Sequence, residues 1–457
     1  MLTYRDYLAV GDALRFVAAA VSGHRHTMEY RIAADADLYD RRRNVTINRY
    51  VKLIQDRTRN PIVDITAANN RISSNFFHRL NTQRCAYSLG NGVSFTKKEQ
   101  RVNARGTVYE ADVVKERLGP GFDAALYEWA YKALIHGVAF GFWNLDRLHV
   151  FPLTEFVPVW DEETGGLRAG VRFWRVSVDR PWNAVLYTEE GYTAYRAREA
   201  GICMDFEEVA PMQPYVLQVD STPADGETVV GKEDWGSLPI IPMWGSRLRQ
   251  STLIGMREQI DSYDLIQSGF ANDVLDCAKI YWLIQNCGGM NDQDLQEFLD
   301  NIRIRHVAKV DTQSFDGTSR SALSPYVQDV PYESTAAYLT HARAAIYEGF
   351  GALDVHAIAA GATNDHIDAA YQPMDEEADD FEFQVIEAVQ GLLRLMGIED
   401  TPLFKRNRVA NLKEQVEAVL MEAKYLDDET VLELLPNITV DMRRGILERR
   451  RAREARE

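Results

Sequence analysis

The sequence predicts an α+β fold with more than one structural region, and three observations carry that prediction. The chain has 457 residues, too many for one ordinary core. Apolar–polar alternation of the strand type takes over near Gly137 and runs through about Met243. On either side of that block, apolar residues recur at steps of three and four, the helical period.

Residues 1 to about 95 read mainly as helices. Val150 to Val176 (VFPLTEFVPVWDEETGGLRAGVRFWRV) reads as two strands joined by an acidic turn, where Gly165 and Gly166 are free to take positive φ. Further strands complete an antiparallel sheet. From Leu253 to Ile284, Met256, Ile260, Tyr263, Ile266, Phe270, Val274, Ala278 and Tyr281 make one continuous helical stripe. A helix of that length spans about 48 Å. Its other face carries Arg257, Glu258, Asp261, Asp264, Asn272 and Asp276, so the stripe needs a neighbour along its whole length.

Gly288-Gly289 ends that helix. An insert from Met290 to Val330 comes after it, with a short helix (NDQDLQEFLDN), a strand at Ile302–Arg305, a turn at Asp316-Gly317 and a second strand near Tyr326 to Val330. Pro331 suits the first turn of a return helix. That helix is rich in small residues that allow close approach (Ala336, Ala337, Ala342, Ala344, Ala345), and Gly349 or Gly351 caps its end. A loop of small residues comes next (GALDVHAIAAGATNDH). A helical run from Ile367 to Gly397 is kinked or restarted by Pro373. The chain from Asn407 is helical again. Val409, Leu412, Val416, Val419, Leu420 and Ala423 form its stripe, and a further helix runs over Leu426 to Pro436.

Hydrophobic content of 46% and charged content of 26% are ordinary for a globular protein. No apolar run reaches membrane length and the N-terminus is not signal-like, so cytoplasmic synthesis and no membrane partner are expected. Cys85, Cys203, Cys277 and Cys287 lack the spacing of a zinc site and read as free thiols. The formal charge is −17, whereas proteins that grip DNA phosphates carry a basic excess. Either nucleic acid is not a partner, or this protein touches DNA without holding it.

Catalytic chemistry is hard to find. Gly226 to Glu233 (GETVVGKE) has phosphate-loop spacing, but Glu233 stands where a magnesium-binding hydroxyl is required, and an ordinary surface turn is the better reading. His24-Arg25-His26 lacks a third metal ligand. The carboxylates Asp375, Glu376, Glu377, Asp379, Asp380 and Glu382 read as a solvated first turn that complements a helix dipole, ahead of a divalent-cation site. The C-terminal run RRGILERRRAREARE reads as an exposed helix, or as a weak polyanion contact. No catalytic residue, metal site or cofactor is expected. A chain of this size without such a constellation points to a structural or mechanical role.

Four stretches, in order, carry a resemblance. They are RCAYSLGNGVSF with Tyr87, Gly90 and Val93; FVPVWDEETGGLRAGVRF; GSLPIIPMWGS leading into LIGMREQIDSYDLIQSGFANDV; and LDDETVLELLP. Together they cover most of residues 80 to 440, and the chain resembles the portal (head–tail connector) proteins of long-tailed double-stranded DNA bacteriophages. The first eighty residues match only loosely. The resemblance implies a ring of about twelve copies around a channel. It implies a protomer with an N-terminal wing (1–252), a first stem helix (253–285), a clip (286–330), a second stem helix (331–350), a channel loop (351–366), a kinked wing helix (367–398) and crown helices (399–457).

On that reading the stem packs through Met256, Ile260, Tyr263, Ile266, Phe270 and Val274. The channel loop offers Asp354, His356, Asn364, Asp365 and His366. Arg303, Arg305 and Lys309 of the clip either form bridges between subunits or dock an acidic partner. The implied partners are other copies of the chain, the terminase large subunit, a head–tail adaptor, and the major capsid and scaffolding proteins. Double-stranded DNA passes transiently, without sequence recognition. The implied place is the portal vertex of the virion, after assembly in the host cytoplasm. The alternatives are a metal-dependent DNA-processing enzyme, built on the Asp375 to Glu382 carboxylates, and a capsid hub that is not a ring.

Overall fold

Side-chain caps start the first helices. In α1 (Tyr4–Val10) the Thr3 hydroxyl accepts the Asp6 N–H, and the Asp6 carboxylate accepts the Thr3 N–H in return. Asp12 caps α2 (Ala13–His24), Thr27 caps α3 (Met28–Asp40) and Asn44 caps α4 (Val45–Arg49). This computed structural model describes residues 2–55, 60–63, 68–102, 108–198, 205–222, 226–233, 235–276, 281–285, 322–326, 332–354, 364–408, 412–424 and 430–432, with single helical positions at 293, 296 and 446. Two units divide the chain. One comprises residues 1–43, 75–259 and 344–457, and the other residues 44–74 and 260–343.

The first unit is α+β. Helices α5 (Phe76–Leu89), α6 (Val113–Leu118) and α7 (Phe122–His136), with short strands between the first two, precede the main run of strands. The expected strand pair is in fact three strands: β1 (Leu148–Pro152), β2 (Phe156–Trp160) and β3 (Leu167–Trp174). β2 and β3 form the antiparallel hairpin that the alternation indicates, with Trp160 opposite Leu167. Asp161 holds the acidic turn by accepting the Glu163 and Thr164 N–H groups, and Gly165 sits at φ +67°. β4 (Asn183–Tyr187), β5 (Tyr192–Ala197) and β6 (Phe206–Gln213) extend this sheet. Helix α2 lays Phe16, Val17, Ala20 and Val21 on the sheet residues Val157, Val159, Val171 and Phe173.

Gly226–Glu233 is β8, paired antiparallel with β7 (Val216–Thr222), so it is neither a phosphate loop nor a simple surface turn. A second core forms around α7. There Leu126, Trp129, Ala130 and Ala133 share one buried cluster with Phe381, Val385, Ala388, Val389 and Leu392 of a long C-terminal helix.

That long helix corrects the expected interruption, because it runs unbroken from Asn364 to Leu395 with Pro373 inside it. Proline removes one backbone hydrogen bond, but Ile367, Tyr371, Met374 and Ala378 bury one face across the site and hold the helix together. The acidic run therefore lies in the interior of a helix, not in its first turn. His24 is a core residue, with Nε2 2.9 Å from the Leu153 carbonyl oxygen. Cys85 is a buried free thiol, while Cys203, Cys277 and Cys287 lie outside the described residues.

The second unit corrects the single long helix. Leu253–Met256 are turn, and the helix α8 covers Arg257–Asp276. Tyr281–Gln285 form β9, antiparallel to β10 (Ala322–Tyr326). The stretch Tyr281-Trp282-Leu283-Ile284 keeps helical spacing but has the aromatic and β-branched content of a strand, and strand pairing prevails. The return helix α9 spans Tyr332–Phe350, and Pro331 lies outside the described residues. Among the described residues no helix is long and apolar enough to cross a membrane.

Candidate functional site: a helix pair and the roots of the segment after it

Within the second unit α8 and α9 run antiparallel. The Ser262 and Tyr338 hydroxyls are 2.7 Å apart, and the Phe270 and Tyr332 rings are 6.0 Å apart. One face of α8 buried within the protomer is polar. Asp264, Ser268 and Asn272, at positions i, i+4 and i+8, accept the backbone N–H groups of Ser74 (3.0 Å), Ile72 (2.9 Å) and Asn70 (2.6 Å). Four helical residues rise about 6.0 Å and two extended residues about 6.6 Å, so an extended segment matches the helix ladder rung for rung. Asn44 adds a side-chain amide bond to Asp264 at 2.8 Å, and Thr46 donates its hydroxyl to Asp261 at 2.6 Å. Burial raises the Asp264 carboxyl above its ordinary range, against the hydrogen bonds from Asn44 and Ser74 that favour its charged form.

The apolar stripe is covered only in part within the protomer. Met256 and Ile260 are buried, and Tyr263 and Phe270 are half-buried. Ile266 and Val274 are 37% and 50% exposed, and Leu265 and Leu275 beside them are exposed as well. The polar face carries the intramolecular hydrogen bonds to residues 70–74, and part of the apolar stripe is left uncovered in the single chain.

In the first unit the end of α9 is closed by Gly351 at φ +64°. The Gly351 N–H meets the Glu348 carbonyl and the Ala352 N–H the Tyr347 carbonyl, the paired bonds of a Schellman cap. Three side chains of α5 anchor the chain on either side of segment 355–363. Gln83 donates to the Leu353 carbonyl at 3.0 Å. Arg84 donates to the Phe350 carbonyl, lies over the Phe350 ring at 4.2 Å, and pairs with Glu377 at 3.1 Å. Burial depresses the Arg84 pKa, and Glu377 opposes that shift. Tyr87 stacks on Tyr371, with centroids 5.7 Å apart, and shares a small core with Leu353 and Ile367.

Both roots of segment 355–363 therefore converge on α5: Leu353 on one side, and on the other Ile367 and Tyr371 of the long helix, hereafter α10 (Asn364–Leu395). Among the channel-loop candidates Asp354 is half-buried and His366 exposed, while Asn364 and Asp365 open α10. His356, and the clip candidates Arg303, Arg305 and Lys309, lie outside the described residues.

The acidic run is clasped from the C-terminal side. Arg406 bonds Asp375 (2.9 Å), Glu382 (2.9 Å) and Asp379, while Arg408 bonds Asp375 and reaches Asp368 at 3.3 Å. Tyr87 donates its hydroxyl to Asp375 at 2.6 Å and accepts from Arg408 at 2.8 Å. Burial, with the Asp375 hydrogen bond, pushes the Tyr87 hydroxyl up to about 12. This clasp joins residues some thirty positions apart in the chain, and no spacing rule marks it in the sequence. Beyond it, α11 (Leu412–Glu422) leaves Leu420 exposed. Val409 and most of the residues from 425 onward lie outside the described residues.

Residues 31–455 match the family described as "Phage portal protein, SPP1 Gp6-like". This chain belongs to that family. Among its relatives, the portal protein of Bacillus phage SPP1 is 24% identical over 386 residues, covering 79% of this chain and 71% of that protein. The portal protein of Clostridium phage phiCD119 is 30% identical over 122 residues, 27% of this chain and 26% of that protein. The match reaches back to residue 31, well into the region where the sequence resemblance is loose. The α8–α9 pair and the clasped roots of segment 355–363 both lie inside the portal-family match.

Proposed function

We propose that copies of this chain form the portal ring at one capsid vertex, the conduit through which terminase packages double-stranded DNA and through which the genome later leaves. The observation that carries the reading is the antiparallel α8–α9 pair of a portal-family chain, whose apolar side chains Leu265, Ile266, Val274 and Leu275 are uncovered in one protomer. A ring supplies the missing cover by repeating one contact until it closes. On this reading α8 and α9 are the stem, and residues 277–331 are the clip, with β9 and β10 at its base. Residues 351–366 are the channel loop, held at its roots by Gln83, Arg84 and Tyr87. Residues 1–252 and α10 make the wing, and residues 399–457 the crown. Head–tail adaptor and terminase dock on the clip, through Arg303, Arg305 and Lys309. Major capsid and scaffolding proteins are the ring's partners in assembly, and its place is the portal vertex of the virion.

The acidic balance suits a conduit that DNA slides through, because counterion-release contacts would make it stick. Asp264 and Asn272 are committed to the segment 70–74 and cannot line a channel. The lining role therefore falls to exposed acids of α8 such as Glu258 and Asp273. Neutralising those two should slow DNA packaging, and unchanged packaging rates would remove this part of the reading.

The metal-dependent alternative is disfavoured at the carboxylates it needs, since Arg406 and Arg408 occupy Asp375, Asp379 and Glu382. Native mass spectrometry with negative-stain imaging tests the ring. Twelve copies of 52.0 kDa give about 624 kDa, with a central hole in end-on views. A monomer that stays monomeric when scaffolding protein is added would sink it. Deleting residues 290–330 should leave rings that no longer dock terminase or adaptor.

A further inference from the structure

We propose that the surface where β3 turns into β4 docks an acidic protein segment with interleaved apolar residues. The guanidinium groups of Arg25 and Arg175 lie over the same indole, that of Trp182, at 5.5 and 5.0 Å from its centroid. Trp182 is backed by Phe173 of the sheet at 6.1 Å, which fixes the platform. Arg180 follows on the same turn, where its backbone N–H meets the Ser177 carbonyl at 3.1 Å.

Among the described residues, none of these three guanidinium groups forms a direct ion pair with a carboxylate, although Arg175 lies near enough to Asp179 to join the Ser177 hydroxyl in holding that carboxyl below its ordinary range. The acid of the turn, Asp179, accepts the Ser177 hydroxyl instead. Stacking occupies a guanidinium's faces and leaves its edge N–H donors, which fit a carboxylate fork. Between the arginines, Val176 and Val178 stand 81% and 78% exposed. They lie between Arg175 and Arg180 in the chain, together with Ser177 and Asp179, so cationic and apolar groups share one turn.

Two features favour an acidic protein segment over nucleic acid. Exposed valines offer nothing to a phosphate backbone but can bury apolar side chains of a peptide. The net charge of −17 also repels a long polyanion far more than a short peptide.

The test uses the full chain and needs no ring. Fluorescence anisotropy would follow a fluorescein-labelled peptide of alternating glutamate and leucine. A polyglutamate peptide of equal charge and a labelled DNA duplex serve as comparators. Saturable binding of the alternating peptide is expected, tighter than that of polyglutamate and not displaced by duplex. Arg25→Glu with Arg175→Glu should weaken it at least about tenfold. Val176→Asp with Val178→Asp, at positions too exposed to disturb folding, should weaken it several-fold and remove the advantage over polyglutamate. The proposal is overturned if the wild-type chain shows no saturable peptide binding, if the duplex binds tighter than the peptide, or if the valine variant binds as wild type does.

Discussion

Ser74 donates its backbone N–H to the Asp264 carboxylate at 3.0 Å, across 190 positions of the chain. That bond and its neighbours at Ser268 and Asn272 tie α8 along its polar face to the segment before α5. The helix is thereby held within its own protomer by hydrogen bonds, and its exposed apolar residues remain available for contact with another copy.

Removing the Asp264 acceptor should loosen this tie. Asp264→Ala leaves the Ser74 N–H and the Asn44 amide without their partner, and each buried unsatisfied donor costs about 1–3 kcal/mol. Asp264→Asn keeps one acceptor oxygen and should lose less. Urea unfolding checks this. A midpoint for Asp264→Ala equal to that of wild type would show that the tie contributes nothing.

The uncovered apolar residues lead to a separate expectation. Ile266→Asp with Val274→Asp places charge on positions that are 37% and 50% exposed in the protomer. Protomer stability should change by only about 0.5 kcal/mol, while assembly should fail, because a charge buried at every repeat of a ring contact is strongly unfavourable. Native mass spectrometry beside thermal unfolding separates the two effects. Intact rings from this variant would remove α8 from the interface.

Much of the fold was legible because it rests on local chemistry. The Gly165 turn, the strands through Trp244, the return helix at Tyr332 and the Gly351 cap each arise from residues close together in sequence. What failed depended on distant partners. Asp264 and Asn272 read only as part of the face opposite the apolar stripe, because nothing near them announces that residues 70–74 lie alongside. Tyr281–Gln285 continues the helical steps of the stretch before it, and only pairing with Ala322–Tyr326 decides for a strand. The acids from Asp375 to Glu382 read as solvated because the arginines that neutralise them come some thirty residues later.

Those arginines pin the C-terminal segment to α10. Arg406 and Glu382 have side chains 23% and 14% exposed, so the contact is partly shielded from water. A charge-assisted hydrogen bond of this kind contributes about 1.5–3 kcal/mol. Arg406→Ala should therefore speed limited proteolysis within residues 405–412 by about tenfold or more, with the main unfolding transition kept. Arg408 is 39% exposed, more open to screening, and its alanine variant should have the smaller effect. Equal cleavage rates in wild type and Arg406→Ala would show that the segment is held elsewhere.

Acid should open the same clasp. Burial raises the Asp375 carboxyl, but the Tyr87 hydroxyl and the Arg408 and Arg406 guanidiniums outweigh it and hold the group below its ordinary 3.8. A carboxylate depressed by folding contributes stability that is fully present above its unfolded value and is lost as pH falls through the folded one. The clasp should therefore be indifferent to pH near neutrality and slacken below about pH 3.8. Tyr87, pushed up to about 12, stays a proton donor throughout this window. Asp37 is also held low, since its bonds to His136 and Lys132 outweigh burial, so global acid unfolding alone cannot report on the clasp. Cleavage within residues 405–412, followed against pH in wild type and in Asp375→Asn, can. The wild-type rate should climb below pH 3.8, whereas the variant should start faster and climb less. Parallel curves would assign the acid response to other carboxylates.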